Sequence, residues 1–166
     1  STSVFTEGPV KESLVDIKSG FMKHALMFHS RGDPNPRHNL PGSPMLDFVS
    51  GTLFILGLIV AILKWRNIGL CWLPLWLVIM TLPGVLTIPG EAPQALRSIG
   101  VTPAVAILIA IAIYTIWLTG RSAEWIIVSK ATPFITILFL GVIAASNINT
   151  YFHTQANHPD VFSLFS

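Results

Sequence analysis

Long stretches of this chain are apolar on every helical face, and short polar clusters separate them. They run about Met45 to Leu63, Ile68 to Leu86, Ile99 to Leu118 and Ala131 to Ser146, with an extension of the last to Phe152 allowed. A helix needs roughly 20 apolar residues to cross about 30 Å of hydrocarbon. Lipid offers no partners to free backbone N–H and C=O groups, so such segments cross as helices. The pattern therefore predicts an all-α, polytopic membrane protein with about four transmembrane helices. The first ends at Lys64-Trp65-Arg66-Asn67, and the third carries Pro103 in its first turn, where a missing N–H costs least. The second contains Pro74 and Pro83-Gly84, which predicts a kink near Pro74 and an early end or break at Pro83. Small residues four apart, Gly57 and Ala61, Ala106 and Ala110, Gly141 and Ala145, suit close helix contacts within the chain or with a partner.

Ahead of the first apolar stretch the period changes. Leu14, Ile17, Phe21, Ala25 and Phe28 recur at spacings of three and four, while Lys11, Lys18, Lys23 and His24 fall on other faces. This predicts an N-terminal amphipathic helix, lying in the membrane interface or packed on a soluble partner domain. A stiff polar loop follows, from Arg31 to Pro44, whose prolines forbid a continuous helix. The expected organisation is an amphipathic helix and loop over residues 1–44, a membrane domain over 45–152 and a short tail over 153–166.

Composition agrees with a membrane protein. Hydrophobic residues are 52% of the chain, charged residues 11%, and the mean hydropathy is +0.66. Soluble domains carry about 25% charged residues. A chain with so little polar surface could not wrap four all-apolar helices in water. A net charge of +2 provides no basic footprint for nucleic acid. The single cysteine, Cys71, excludes an intrachain disulfide and a CxxC metal site. Glu7, Glu12 and Asp16 interrupt the first 20 residues, which do not read as a secretory signal. Because the chain opens on Ser1, processing or membership of a longer protein is expected.

Orientation follows the lysines and arginines of short loops. Lys64 and Arg66 in the first hairpin, with Arg121 and Lys130 in the third connection, point to one cytoplasmic side. Both termini and the loop from Thr87 to Ser98 then face the other side, although the N-terminal segment is itself basic. Trp65, Trp72, Trp117 and Trp125 stand near span ends, as interfacial aromatics do.

Polar residues near the membrane supply the candidate chemistry. Asp33, Arg37 and His38 gather in the proline-rich loop as a polar membrane-surface site or as ordinary turn chemistry. Asp47 opens the first span, either at headgroup level, where its charge suits a helix N-terminus, or within a site. Arg97 precedes the third span, as an interfacial anchor, a partner of Glu91, or a bidentate ligand for phosphate. The spans hold no histidine, so they present no axial haem ligand and no chlorophyll ligand. No phosphate loop, HExxH or GxSxG pattern occurs, and no cofactor or metal is expected in this chain.

The stretch Gly32-Asp33-Pro34-Asn35-Pro36-Arg37-His38-Asn39-Leu40-Pro41-Gly42-Ser43-Pro44-Met45-Leu46-Asp47 resembles the later part of dolichyl-phosphate-mannose protein mannosyltransferase-type polytopic glycosyltransferases. So does Leu82-Pro83-Gly84-Val85-Leu86-Thr87 followed by Arg97-Ser98-Ile99-Gly100 and Pro103. The resemblance covers about Ser13 to Leu118. It implies the GT-C membrane fold and sugar transfer from a polyprenyl-phosphate carrier on the non-cytoplasmic face. It also implies that Arg97 faces the carrier-lipid phosphate. The family's acidic catalytic motif, in an external loop after an N-terminal span, has no counterpart before Met45.

Three readings follow. The first is a small membrane subunit resembling the C-terminal part of such a glycosyltransferase, non-catalytic alone, in a bacterial plasma membrane, with lipids and other transmembrane subunits as partners. The second is a portion of an active glycosyltransferase. The third is an accessory subunit of an energy-transducing complex, contacting lipid, quinone or pigment through apolar surface.

Overall fold

The computed structural model describes residues 8–86 and 92–163, with side chains from residue 16 onward. All regular structure among the described residues is helical: α1 Gly8–Leu26, α2 Phe48–Leu63, α3 Ile68–Val85, α4 Thr102–Arg121, α5 Ile126–Ile148 and a short α6 Pro159–Phe162. A 3₁₀ turn, Ile99–Val101, leads into α4, and a wide π turn, Asn149–Gln155, continues α5. α3, the 3₁₀ turn with α4, and α5 with its extension are each long and apolar enough to cross a membrane, and α2 is a shorter apolar helix. These helices fit an integral membrane protein.

Local chemistry sets the boundaries. Asp47 caps α2: its Oδ1 accepts the N–H groups of Val49 and Ser50, each at 3.0 Å. The cap places the helix start at Phe48 rather than at the expected Met45. The resulting 16 residues rise about 24 Å. Asn67 caps α3 in the same way. Contrary to expectation, α3 does not end at Pro83 but continues to Val85. Pro83 lies in the last turn, where its missing N–H removes one bond, and Leu86 N–H still closes onto Leu82 O at 2.9 Å. Pro103 occupies the first turn of α4, as expected. α5 begins at Ile126, ahead of the expected Ala131, so Lys130 belongs to the helix and not to the connection. The hairpin between α4 and α5 is closed by Ser129 Oγ–H donating to Arg121 O at 3.0 Å.

α2 packs chiefly on α4. A Cβ on Gly57 would run into the Leu108 carbonyl, so the missing side chain allows the backbones to touch. Ala61, Ala104, Leu108 and Ala112 are fully buried around that crossing. The expected pair Gly57 and Ala61 is therefore used within the chain, whereas Ala106, Ala110, Gly141 and Ala145 are exposed. Only 6% of the most apolar window of α5 is buried. The rest, with Phe134, Ile137 and Leu138 exposed, is an apolar surface that suits contact with lipid.

α1 packs on α3 through Gly20 and His24, and Met27, the residue after its end, is buried as well. The apolar face of Ile17, Phe21 and Ala25 points away from α3 and is exposed. Gly20 sets which face meets α3: a Cβ there would lie 2.9 Å from Val85 O, so glycine permits backbone contact that a larger residue would prevent. Lys11 and Leu14 of the same expected pattern lie outside the described side chains, as does Glu91.

Candidate functional site

The segment between α1 and α2 is a closed loop. Met45 N–H donates to Met27 O at 3.0 Å and Leu46 N–H to Phe28 O at 3.3 Å, which pins its two ends together. Inside it, Pro34 and Pro36 have no N–H to offer. Asp33 Oδ1 therefore accepts from Asn35 N–H at 2.8 Å, and Asn35 Oδ1 accepts from Arg37 N–H at 3.0 Å. Two side-chain turns in succession fold Asp33 to Arg37. Asn39 Nδ2–H donates to Ser43 O at 2.7 Å, and Gly32 N–H donates to the same carbonyl at 3.1 Å.

Asp33 is the centre of this loop and is only 2% exposed. Its Oδ2 accepts from His38 Nδ1–H at 3.2 Å and from Ala95 N–H at 2.8 Å. The second bond reaches out of the loop to the segment before α4. Beside it, His24 Nε2 accepts the N–H of Gln94 at 3.1 Å, while His24 Nδ1–H donates to Gly20 O at 2.8 Å. These roles require the neutral Nδ1–H tautomer. Burial lowers the His24 pKa, against the Gly20 carbonyl and the Asp33 carboxylate, which favour the charged form. Gly84 makes room for this contact, since a Cβ there would collide with His24 Nε2 and lie 2.5 Å from Ser98 Oγ. Two successive backbone donors are thus taken by two buried side chains from different elements.

Clamping these segments together leaves a cavity of about 410 Å³ between them. Arg37 and His38 supply its charged and polar side chains, and Met27, Phe28, Val101 and Val105 line its apolar part. Ser98 and Thr102 also line it. Val101 to Val105 form the entry of the chain into α4, so the apolar part lies where that helix begins. On another side of the loop, Lys23 and Arg31 line a cavity of about 570 Å³.

The structure thus brings together three of the expected surface residues: Asp33 and His38 bond directly, and Arg37 shares the cavity with His38. Arg97 is exposed and sits between two lining residues, Leu96 and Ser98, without lining the cavity itself. Asp47 belongs to a different place, where its Oδ2 accepts from Ser50 Oγ–H at 2.6 Å and from Asn147 Nδ2–H at 3.0 Å. Asp47 is thereby both a helix cap and a tie to the end of α5. No protein family, characterised protein or solved structure matches this chain.

Sequence reasoning missed His24, Gln94 and Asn147. Gly20, His24 and Met27 do fall on one helical stripe, but the apolar stripe beside them is stronger. Nothing in the local sequence around Asn147 or Gln94 signals a bond to a residue 100 or 70 positions away. Among the described residues no cluster of His, Cys, Asp or Glu could hold a metal ion.

Proposed function

We propose that this chain is a helical membrane subunit that holds the phosphate of a polyprenyl-phosphate carrier at the membrane surface. Its role resembles that of the C-terminal part of a lipid-linked-sugar glycosyltransferase, with the sugar-transfer chemistry on another chain of a larger membrane assembly. The observation that carries this reading is the cavity in which Arg37 and His38 stand next to Met27, Phe28, Val101 and Val105. A guanidinium matches a phosphate in a bidentate fork, and the neighbouring apolar side chains suit the first isoprene units. Arg97, one residue outside that lining, supplies a second cation at the rim and keeps the role that the resemblance implies for it.

α2 completes four crossings in this reading, with α1 in the interface and its exposed Ile17, Phe21, Met22 and Leu26 in lipid. The clamped loops then share one side, which the basic turns at Lys64, Arg66 and Arg121 make the non-cytoplasmic one of a bacterial plasma membrane. The bare apolar surface of α5 supports other transmembrane subunits as partners.

The test is retention of undecaprenyl phosphate by the chain in phosphatidylcholine nanodiscs, read by native mass spectrometry against undecaprenol. The reading expects preference for the phosphate. Arg37→Ala with His38→Ala should reduce it about tenfold or more, the loss of a charge-assisted hydrogen bond. Equal retention of the alcohol and the phosphate would refute it.

A further inference from the structure

A second cavity, of about 500 Å³, lies on the other side of Met45 and Leu46, which line both. The loop before α2 forms one wall and the end of α5 the other. Its size is within the roughly 300–1,000 Å³ of small-molecule sites. The lining chemistry differs from that of the first cavity. The lining carries the carboxylate of Asp47, the amides of Asn39, Asn147 and Gln155, and five hydroxyls, those of Thr150 and Thr154 among them, with no lysine, arginine or histidine.

That donor set fits one class of ligand. A phosphate or carboxylate would meet Asp47 with no cation to offset it. An apolar ligand would strip water from Thr150, Thr154 and Gln155 and offer them no hydrogen bond in return. A ring bearing several hydroxyls can donate to the carboxylate and both donate to and accept from amides and hydroxyls. Its C–H face is matched by the exposed rings of Tyr151 and Phe48 at the same cavity.

Two further observations point to the same place. The wall from Asn149 to Gln155 is a π turn, in which Ala156 N–H reaches back five residues to Tyr151 O at 3.1 Å. Such turns are rare and occur frequently at functional sites. The floor is fixed by the Asn147 Nδ2 amide, which donates to Asp47 Oδ2 at 3.0 Å and to Ile143 O at 2.8 Å. The side chains of Thr150, Thr154 and Gln155 form no hydrogen bond among the described residues, so they are available to a ligand.

We propose that this second cavity binds an uncharged polyhydroxylated ring, either a free sugar or the head group of a neutral glycolipid. The site uses residues other than Arg37 and His38, so it stands or falls separately from phosphate binding in the first cavity.

The test uses the whole chain in phosphatidylcholine nanodiscs. One arm is saturation-transfer NMR with methyl α-D-glucopyranoside in the water phase. The other is native mass spectrometry of discs containing monoglucosyldiacylglycerol, with plain diacylglycerol as control. Ring-selective saturation in the first arm marks a free sugar, and selective retention in the second marks a glycolipid. In whichever arm binds, Thr154→Val with Gln155→Leu should weaken binding about tenfold, the effect of one or two lost hydrogen bonds. Both positions lie outside the buried core, so the double variant retains its helical circular dichroism. Arg37→Ala should bind the sugar like the unaltered chain. Absence of selective binding in both arms would overturn the proposal, as would binding that the double variant leaves unchanged.

Discussion

Asp33 accepts the backbone N–H of Ala95 at 2.8 Å across 62 positions of sequence. That bond joins the proline-rich loop to the entry of α4, and the cavity with Arg37 and His38 exists because the two are held together. Removing the carboxylate leaves a buried N–H without its partner, at a cost of about 1–3 kcal/mol. Asp33→Ala should lower the melting temperature in detergent and speed amide exchange at Ala95. Asp33→Asn, which retains an acceptor oxygen, should lose less. Unchanged exchange at Ala95 in Asp33→Ala would show that the clamp does not depend on this bond.

His24 makes the same junction sensitive to acid. Burial lowers its pKa below the ordinary 6.5. The unfolded chain therefore binds more protons than the folded one once the pH drops past that value. The stabilisation is fully present above about pH 6.5 and is lost as pH falls toward the lowered folded value. Protonation at Nε2 also removes the acceptor for Gln94 N–H. Thermal unfolding in detergent should show a melting temperature that declines from pH 7.5 to about pH 5, with a shallower decline in His24→Gln. An identical slope in both proteins would exclude His24 as the titrating group.

The interface between α2 and α4 depends on Gly57. A leucine there would strike the Leu108 carbonyl, which is backbone and cannot step aside. Gly57→Leu should destabilise the chain by about 1–3 kcal/mol or more. Gly141 has nothing within 4 Å of a Cβ. Gly141→Leu should leave the isolated chain as stable as before, yet release partner subunits during purification in mild detergent if α5 docks against them. Loss of stability in the isolated Gly141→Leu chain would contradict the exposed placement of that face.

Much of this architecture is legible from hydrophobic pattern alone, because an all-apolar run of membrane length leaves the backbone few alternatives to helix. The end points are less legible. Asp47 moves the start of α2 to Phe48 through a cap that the apolar count ignores, and Pro83 sits too close to the helix end to break it. Which face of α1 meets α3 is hard to read for a related reason. Gly20 contributes little hydrophobicity but permits the closest backbone approach, and His24 gains its place from a bond to distant Gln94. Asp33, Arg37 and His38 could be singled out as one polar group because they are neighbours in sequence. The placement of Asp47 beside Asn147, away from the other three, is a tertiary fact with no local trace.

The four crossings proposed above make a definite prediction for thiol labelling. With Cys71→Ser as background, single cysteines at Asn35 and Gln94 should react with an impermeant reagent from one side of the membrane. A cysteine at Asn67, in the turn between α2 and α3, should react from the other. Labelling of Gln94 and Asn67 from the same side would mean that α3 does not cross.

The most direct test of the whole account asks where a carrier lipid sits. A polyprenyl phosphate carrying a photoreactive group on its first isoprene unit can be incorporated into nanodiscs with the chain, irradiated, and the adducts mapped by peptide mass spectrometry. The account predicts adducts on Met27, Phe28, Val101 or Val105, suppressed by Arg37→Ala with His38→Ala and by excess undecaprenyl phosphate. Adducts spread along the exposed faces of α3 and α5, insensitive to both, would mean that the lipid only surrounds the protein and that the cavity is not its site.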